Sequence, residues 1–516
     1  MTSELTAPAA ARPGGWRRVA LAAALGAAAL VVALGRQRAL EWGDSLVPAL
    51  VSLQRWTPFY WDQERFGMLV PLLAWPVRDP FWNLLLQRAL MALGGLSAVV
   101  LLARHVLPGR DWPLCGALAA AALLLLAPQA WLFEYLADQP YGLSLALALG
   151  GLALAEPRPW ERAADGVLGG GQGELRRHPW RVAGGLLLVL LAHWVNAAVG
   201  VVLGVLALAR AAEDLVAGEP TGAVAGRLQV DAALLAAGLA AGQASIRLYP
   251  WWSGQPLRLA LGFLPLAEWP RAWWTMTARA LEAQGGWAAA LAAVTAVGLA
   301  ALALPSSRPV RRQVLARAAT LAAAAALYAA FSGALAWVAE NAFHWRYLAP
   351  SALLIHLAVV ALAAEPLAAS ARLAVPALRG ALLALPLAAL ATQGQPSLER
   401  ARGDLDAAAG RWTADVLAAR CDLVAGDYWS VWPAVWHVAL AQAERGEHRP
   451  VYGLAHRSNP TVPLWWDRPH GALRICRTHG EAAEREAARW LPSYGLWPVE
   501  VVERRETVDV LRVAGP

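Results

Sequence analysis

The chain has 516 residues, 58% of them hydrophobic and only 16% charged, with a mean hydropathy of +0.41. Soluble domains carry about 25% charged residues, so this composition excludes an ordinary soluble globular protein and a disordered chain and points to the membrane class. All 44 basic residues are Arg, and the net charge of +7 reads as cytoplasmic loop charge in a GC-rich bacterium, not as a nucleic-acid-binding patch.

In chain order, residues 1–16 read as a disordered cytoplasmic tail. About 17–25 apolar residues are needed to cross ~30 Å of hydrocarbon. Runs of this kind predict spans near 17–35, 81–103, 113–133, 139–156, 228–246, 286–304, 317–337, 348–366 and 375–393. The first run leads into Arg36 and Arg38 without a small-residue cleavage site, so it reads as a retained span. The run 182–210, "VAGGLLLVLLAHWVNAAVGVVLGVLALAR", is one long helix or two short ones turning at His193–Asn196. A single crossing would carry "SSRPVRRQVLAR" (306–317) outside with its four arginines; a hairpin returns it inside, as the positive-inside rule requires. The expected architecture is therefore a polytopic α-helical membrane domain, 17–393, of about eleven spans with N-terminus in and C-terminus out. Its first external loop is long, 36–80.

Outside the bilayer this leaves that loop, the turn "FEYLADQPYG" (133–142), the Trp-rich loop 248–285, "ENAFHWRYLAP" (340–350) and a tail, 394–516. The tail is charged and turn-punctuated. Strands are predicted in "CDLVAGDYW", "PVYGLA", "ALRICRT", "VEVVERR" and "TVDVLRV", with a helix over "SVWPAVWHVALAQAERGE", so it reads as a small α/β domain with a partly parallel sheet. Cys115 lies within a span and reads as packing; Cys421 and Cys476 either pair in an oxidising periplasm or stay free in adjacent strands.

The residues suited to chemistry gather at the outer rim. "SLVPALVSLQRW" after Trp42 reads as an amphipathic helix lying in the interface, with Asp44 at its start as a cap or a base. Glu41, Asp62, Glu64 and Arg65 share that loop. Glu134 and Asp138 occupy the turn between spans three and four, where an ionisable group near hydrocarbon is a functional candidate by default; Asp138 could instead cap the next helix. His344, Arg346 and Tyr347 stand at the outer end of a later span, where Arg can grip a lipid-linked phosphate or merely anchor the helix. His193 and Asn196 mark the hairpin tip, and His193 reads as structural or as substrate-facing.

An acidic residue in a long first outer loop ("EWGDS", Glu41 and Asp44), a second in the next outer loop, an Arg-Tyr pair near a later span and an outer C-terminal domain resemble the GT-C superfamily of integral-membrane glycosyltransferases. That superfamily includes the lipid-A arabinosyltransferases and protein mannosyltransferases. Its first-loop motif is often two adjacent acids; here two residues separate them. The resemblance implies an enzyme of the bacterial inner membrane with its site facing the periplasm. It would move a sugar from a polyprenyl-phosphate donor, with inversion, to a lipid, glycan or protein acceptor. It further implies Asp44 as general base, Arg346 against the leaving phosphate, and Asp138 orienting the acceptor or sharing a divalent cation, Mg or Mn, with Asp44. Glu41, Asp62, Glu64, Arg65, Glu134, His193, His344 and Tyr347 would be substrate-binding. A transporter of an envelope precursor and a non-catalytic envelope scaffold are the rival expectations.

Overall fold

The computed structural model of the chain describes residues 15–35, 43–64, 66–107, 112–155, 179–216, 218, 220–253, 262–304, 308–370, 372–469 and 472–514. Residues 1–14 of the expected tail, Glu41, Arg65 and the Arg-rich stretch 156–178 lie outside them.

The molecule is mostly helical, with a small C-terminal sheet. Seven described helices are long and apolar enough to cross a membrane: Trp16–Ala33, Pro80–Val106, Val224–Trp251, Leu266–Ala303, Arg311–Gly333, Trp345–Leu367 and Ala374–Gln393. Three other expected crossings fall on shorter apolar helices, Trp112–Leu126, Tyr141–Ala155 and Pro179–Val195. The helix Val199–Val216 ends in Arg210, Glu213 and Asp214.

Four helices form the centre of the bundle: α1 (Gly15–Ala33), α4 (Pro80–Val106), α5 (Trp112–Leu126) and α7 (Tyr141–Ala155), with α1, α5 and α7 all packed on α4. Small residues permit this in an apolar solvent, where close van der Waals packing replaces the hydrophobic effect. A Cβ on Gly142 would lie 2.5 Å from the Gly95 Cα, and one on Gly151 would lie 2.6 Å from the Gly185 carbonyl oxygen. The helix Pro179–Val195 thereby lies directly on α7.

The run 182–210 is two helices, broken at Asn196–Ala198, where the Asn196 side chain accepts from the Ala198 N–H (3.1 Å). Gly185 meets the end of α7, while the Trp194 carbonyl at the far end accepts from Gly67 (3.0 Å). The second helix starts beside Tyr141 and Leu353 and ends with Glu213 on Arg317 (3.0 Å), so the chain reverses. Arg317 also donates to Glu365 (2.5 Å), tying three helices together. Arg317→Ala removes the buried guanidinium that both carboxylates share. It should destabilise the fold by about 3–5 kcal/mol, read as a lower unfolding midpoint in detergent.

Most described residues of the Trp-rich stretch 248–285 are helical, not loop. One helix continues through Ser253 and the next starts at Trp269, with Pro270 at its first turn. Trp251 and Trp274 point outward, 86% and 76% exposed.

The C-terminal domain opens with helices Leu398–Ala409 and Thr413–Ala418, which the sequence reading does not find. Strands β1 (Leu423–Ala425), β2 (Tyr452–Leu454), β3 (Ile475–Thr478), β4 (Trp497–Arg504) and β5 (Val508–Ala514) fall on the five predicted runs, and the helix Tyr428–Glu444 follows β1. The sheet order is β2-β1-β3-β5-β4. β1 pairs in parallel with both β2 and β3, and β5 is antiparallel to β3 and β4. Cys421 and Cys476 form a disulfide with 5.8 Å between Cα atoms.

A further expectation is overturned. Helix α2 (Gly43–Leu53) does not lie in the lipid interface: Leu46, Val47, Ala49, Leu50 and Val51 are fully buried, in one core with Trp432, Val435 and Trp436 of the Tyr428–Glu444 helix. Trp61 packs on Trp432 at 5.4 Å between ring centres. The apolar face meets protein instead of lipid because the C-terminal domain presents an equally apolar helix to it. Burying such a face stabilises by about 25 cal/mol per Å². The short helix α3 (Leu69–Ala74) keeps Leu72 and Leu73 exposed.

Candidate functional site

Asp44 is the second residue of α2, and tertiary partners, not a helix cap, take up its carboxylate. The Tyr428 hydroxyl donates to Oδ1 at 2.6 Å and the Tyr60 hydroxyl at 3.3 Å, while the two phenol oxygens are 2.9 Å apart. Burial pushes both phenols well above their ordinary range, with Asp44 adding to the shift, so both stay protonated and donate. Arg457 of the C-terminal domain has its guanidinium 4.4 Å from the Tyr60 ring centre and 5.1 Å from that of Tyr428, with Nη2 4.0 Å from Asp44 Oδ1.

The second carboxylate reaches the same place through an irregularity. Residues Glu134–Asp138 form a single π-helical turn between α6 (Gln129–Phe133) and α7. Such turns widen the backbone and re-aim side chains, often at functional sites. Asp138 is its last residue, buried, and accepts from Gln139 Nε2 at 2.8 Å. Asp44 and Asp138 line one cavity, with Tyr60, Gln87, Arg88 and Met91 on its other walls. Its free space is about 590 Å³ counting the open mouth.

Glu134 lies alongside, 4.0 Å from Arg346 Nη1. Burial raises the Glu134 carboxyl to about 7, against the opposing pull of Arg346, and burial together with Glu134 and Asp44 raises Asp138. A carboxyl raised in the folded state makes stability fall as pH rises from the ordinary glutamate range through about 7, because the folded state holds the extra proton. Glu134→Gln should remove that slope, so its unfolding midpoint gains on the parent protein at pH 8 but not at pH 4.

Polar atoms in this cluster buried without a hydrogen-bond partner among the described residues include four of its charged groups: Asp138 Oδ1, Glu134 Oε2, Arg346 Nε and Arg457 Nε. Folded proteins seldom leave buried polar atoms unmatched, so a group of four in one place marks where a polar ligand or water belongs.

The remaining expected residues divide. Arg346 and Tyr347 are at the site's edge, with the guanidinium 5.3 Å from the Tyr347 ring centre. His344 accepts from the Arg346 N–H (3.3 Å); burial, with Arg346 and Arg279 nearby, holds it down at about 4, so it is neutral. Asp62, at a left-handed φ of 56°, turns to the C-terminal domain and accepts from the Asn459 N–H (3.3 Å). Glu64 is buried, with Oε1 unpartnered among the described residues, and does not line the cavity. His193 is not in the cavity either: Nδ1 hydrogen-bonds the Val189 carbonyl (2.8 Å), and the ring wedges against Gly200 and Gly238. Of the described residues of the Trp-rich stretch, none lines the cavity.

The sequence reading misses Arg88, Tyr60 and Arg457; Tyr428 belongs to "GDYWSVW" (426–432), which reads as a stretch of the tail that could close the site from above. Arg88 carried a visible signal, as a charge about two turns inside a span.

The donor set does not fit a divalent cation. Asp44 Oδ1 is occupied by two phenols, and Arg88, Arg346 and Arg457 stand against the three carboxylates. Among the described residues no three His, Cys, Asp or Glu gather as a ligand set. No protein-family model matches the chain. No curated protein matches it either.

Proposed function

We propose that the chain is an integral-membrane glycosyltransferase of the GT-C kind, moving sugar from a polyprenyl-phosphate donor to an acceptor hydroxyl. It would lie in a bacterial inner membrane with eleven crossings, N-terminus in the cytoplasm, and cavity and C-terminal domain in the periplasm. The chain reversal at Asn196–Ala198 supports this reading, since a hairpin there is what the positive-inside rule asks for if the arginines of 308–317 are to share the side of the N-terminal arginines.

The observation that carries the reading is Asp44 and Asp138 on one cavity beneath a polar domain, with unmatched buried carboxylate and guanidinium atoms around it. In the reaction, the acceptor oxygen forms a bond to the anomeric carbon from the face opposite the phosphate. The bond from that carbon to the phosphate oxygen breaks, and its electron pair leaves with the polyprenyl phosphate. The acceptor's proton goes to Asp44. Arg346 balances the charge arriving on the phosphate. Asp138, sharing protonation with Glu134, orients the acceptor. No step runs through a metal ion.

A transporter is the second reading, favoured by Arg88 buried inside the helix Pro80–Val106. Purified protein in liposomes with radiolabelled polyprenyl-phosphate sugars separates the two. Label moving to an acceptor supports transfer; solute flux without label movement would replace it with transport.

A further inference from the structure

In a parallel sheet, ligands bind in the crevice beyond the carboxyl ends of the strands where the chain order reverses. The C-terminal domain has such a point between β1 and β3: the chain passes from β1 to β2 on one side and then crosses to β3 on the other. The segment 426–429 emerges there after β1, and 455–459, which follows the neighbouring β2, emerges beside it. The first carries Tyr428 and the second Arg457, both against Asp44. The crevice of the domain therefore opens onto the acid cluster.

What the crevice offers is aromatic and polar. Trp429 is 55% exposed, edge-on to Tyr428 at 4.8 Å between ring centres. His456 lies 6.3 Å from Tyr428 and 6.1 Å from Trp490, extending the row away from Asp44. The row is held stiffly. Ser458 Oγ accepts from the Ala455 N–H and donates to its carbonyl, each at 2.7 Å, and Arg457 takes a left-handed φ of 79° in that turn. A non-Gly residue there stores strain, as functional positions often do.

We propose that this crevice binds the acceptor and that the acceptor is a glycan. The apolar faces of sugar rings stack on indole and imidazole, and their hydroxyls meet the polar edges between. A ring on Trp429 is one aromatic neighbour away from the base, where the attacking hydroxyl must be. A flat lipid surface would ask for an unbroken apolar patch, which the interposed Arg457, His456 and Asn459 interrupt. This inference rests on the transfer reading for its word acceptor, but the binding itself can be tested without transfer.

Full-length protein in nanodiscs, free of glycosidic detergent, is mixed with malto-, cello-, chito- and manno-hexaose. Saturation-transfer NMR then reads contact with ring C–H protons. We expect saturation on at least one hexasaccharide, reduced about tenfold by Trp429→Ala and by Trp490→Ala. Trp497→Ala, which removes a similarly exposed indole (54%) on the distal strand β4, should leave it unchanged. No saturation on any of the four, or equal saturation in Trp429→Ala and parent, overturns the proposal. Unfolding midpoints of the variants within ~2 °C of the parent exclude misfolding as the cause of a loss. Saccharide binding without sugar transfer would sink the enzymatic reading and leave the binding site standing. Transfer with an acceptor KM unmoved by Trp429→Ala would do the reverse.

Discussion

Asp44→Asn is expected to lower sugar transfer about 10²–10⁴-fold, the usual contribution of a positioned general base. The substitution is close to a point deletion of chemistry. An Asn oxygen still accepts from Tyr428 (2.6 Å in the parent) and from Tyr60, so α2 and the C-terminal domain keep their contact. What disappears is the ability to take the acceptor's proton. The rate should fall in kcat, with the donor KM within about threefold, because Asp44 acts on the acceptor side. Initial rates with radiolabelled donor in liposomes read both. Tyr428→Phe should produce a smaller loss, and none in the Asp44→Asn background, since it acts only by orienting that carboxylate.

Arg346→Gln should cost about 10²–10³-fold in kcat, the scale seen when one preorganised charge-stabilising donor is removed. Arg346 is 4.0 Å from Glu134, too far for a hydrogen bond, and its Nε has no partner among the described residues. A guanidinium so placed keeps donors available for phosphate, where two parallel bonds are the favoured geometry. Removing it also leaves Glu134 buried without its counter-charge. The double variant Arg346→Gln/Glu134→Gln separates the effects: stability should return towards the parent, transfer should not. Recovery of transfer would mean that Arg346 serves only to neutralise Glu134.

The residues legible in the sequence were those whose role is local. Apolar runs of spanning length, the Asn196 break, and five short strands follow from length and period along the chain. The interfacial reading of α2 failed because amphipathicity states only that one face is apolar; whether lipid or another helix covers it depends on Trp432 and Trp436, nearly 400 residues away. Arg457 was invisible for the same reason, since nothing local ties it to Asp44. The π-helical turn at Glu134–Asp138 has no sequence signature, although its acids stood out. The Trp-rich stretch read as an external loop because Trp marks membrane interfaces, while the helices that run into it are set by the Ala- and Leu-rich residues around it.

The most direct measurement is a structure of the Asp44→Asn protein in nanodiscs with a polyprenyl-phosphate sugar bound. Density for the phosphate against Arg346, with the sugar in the cavity between residues 44 and 138, is the predicted result. A donor head bound elsewhere, or a saturated preparation whose cavity stays empty of it, would contradict the account.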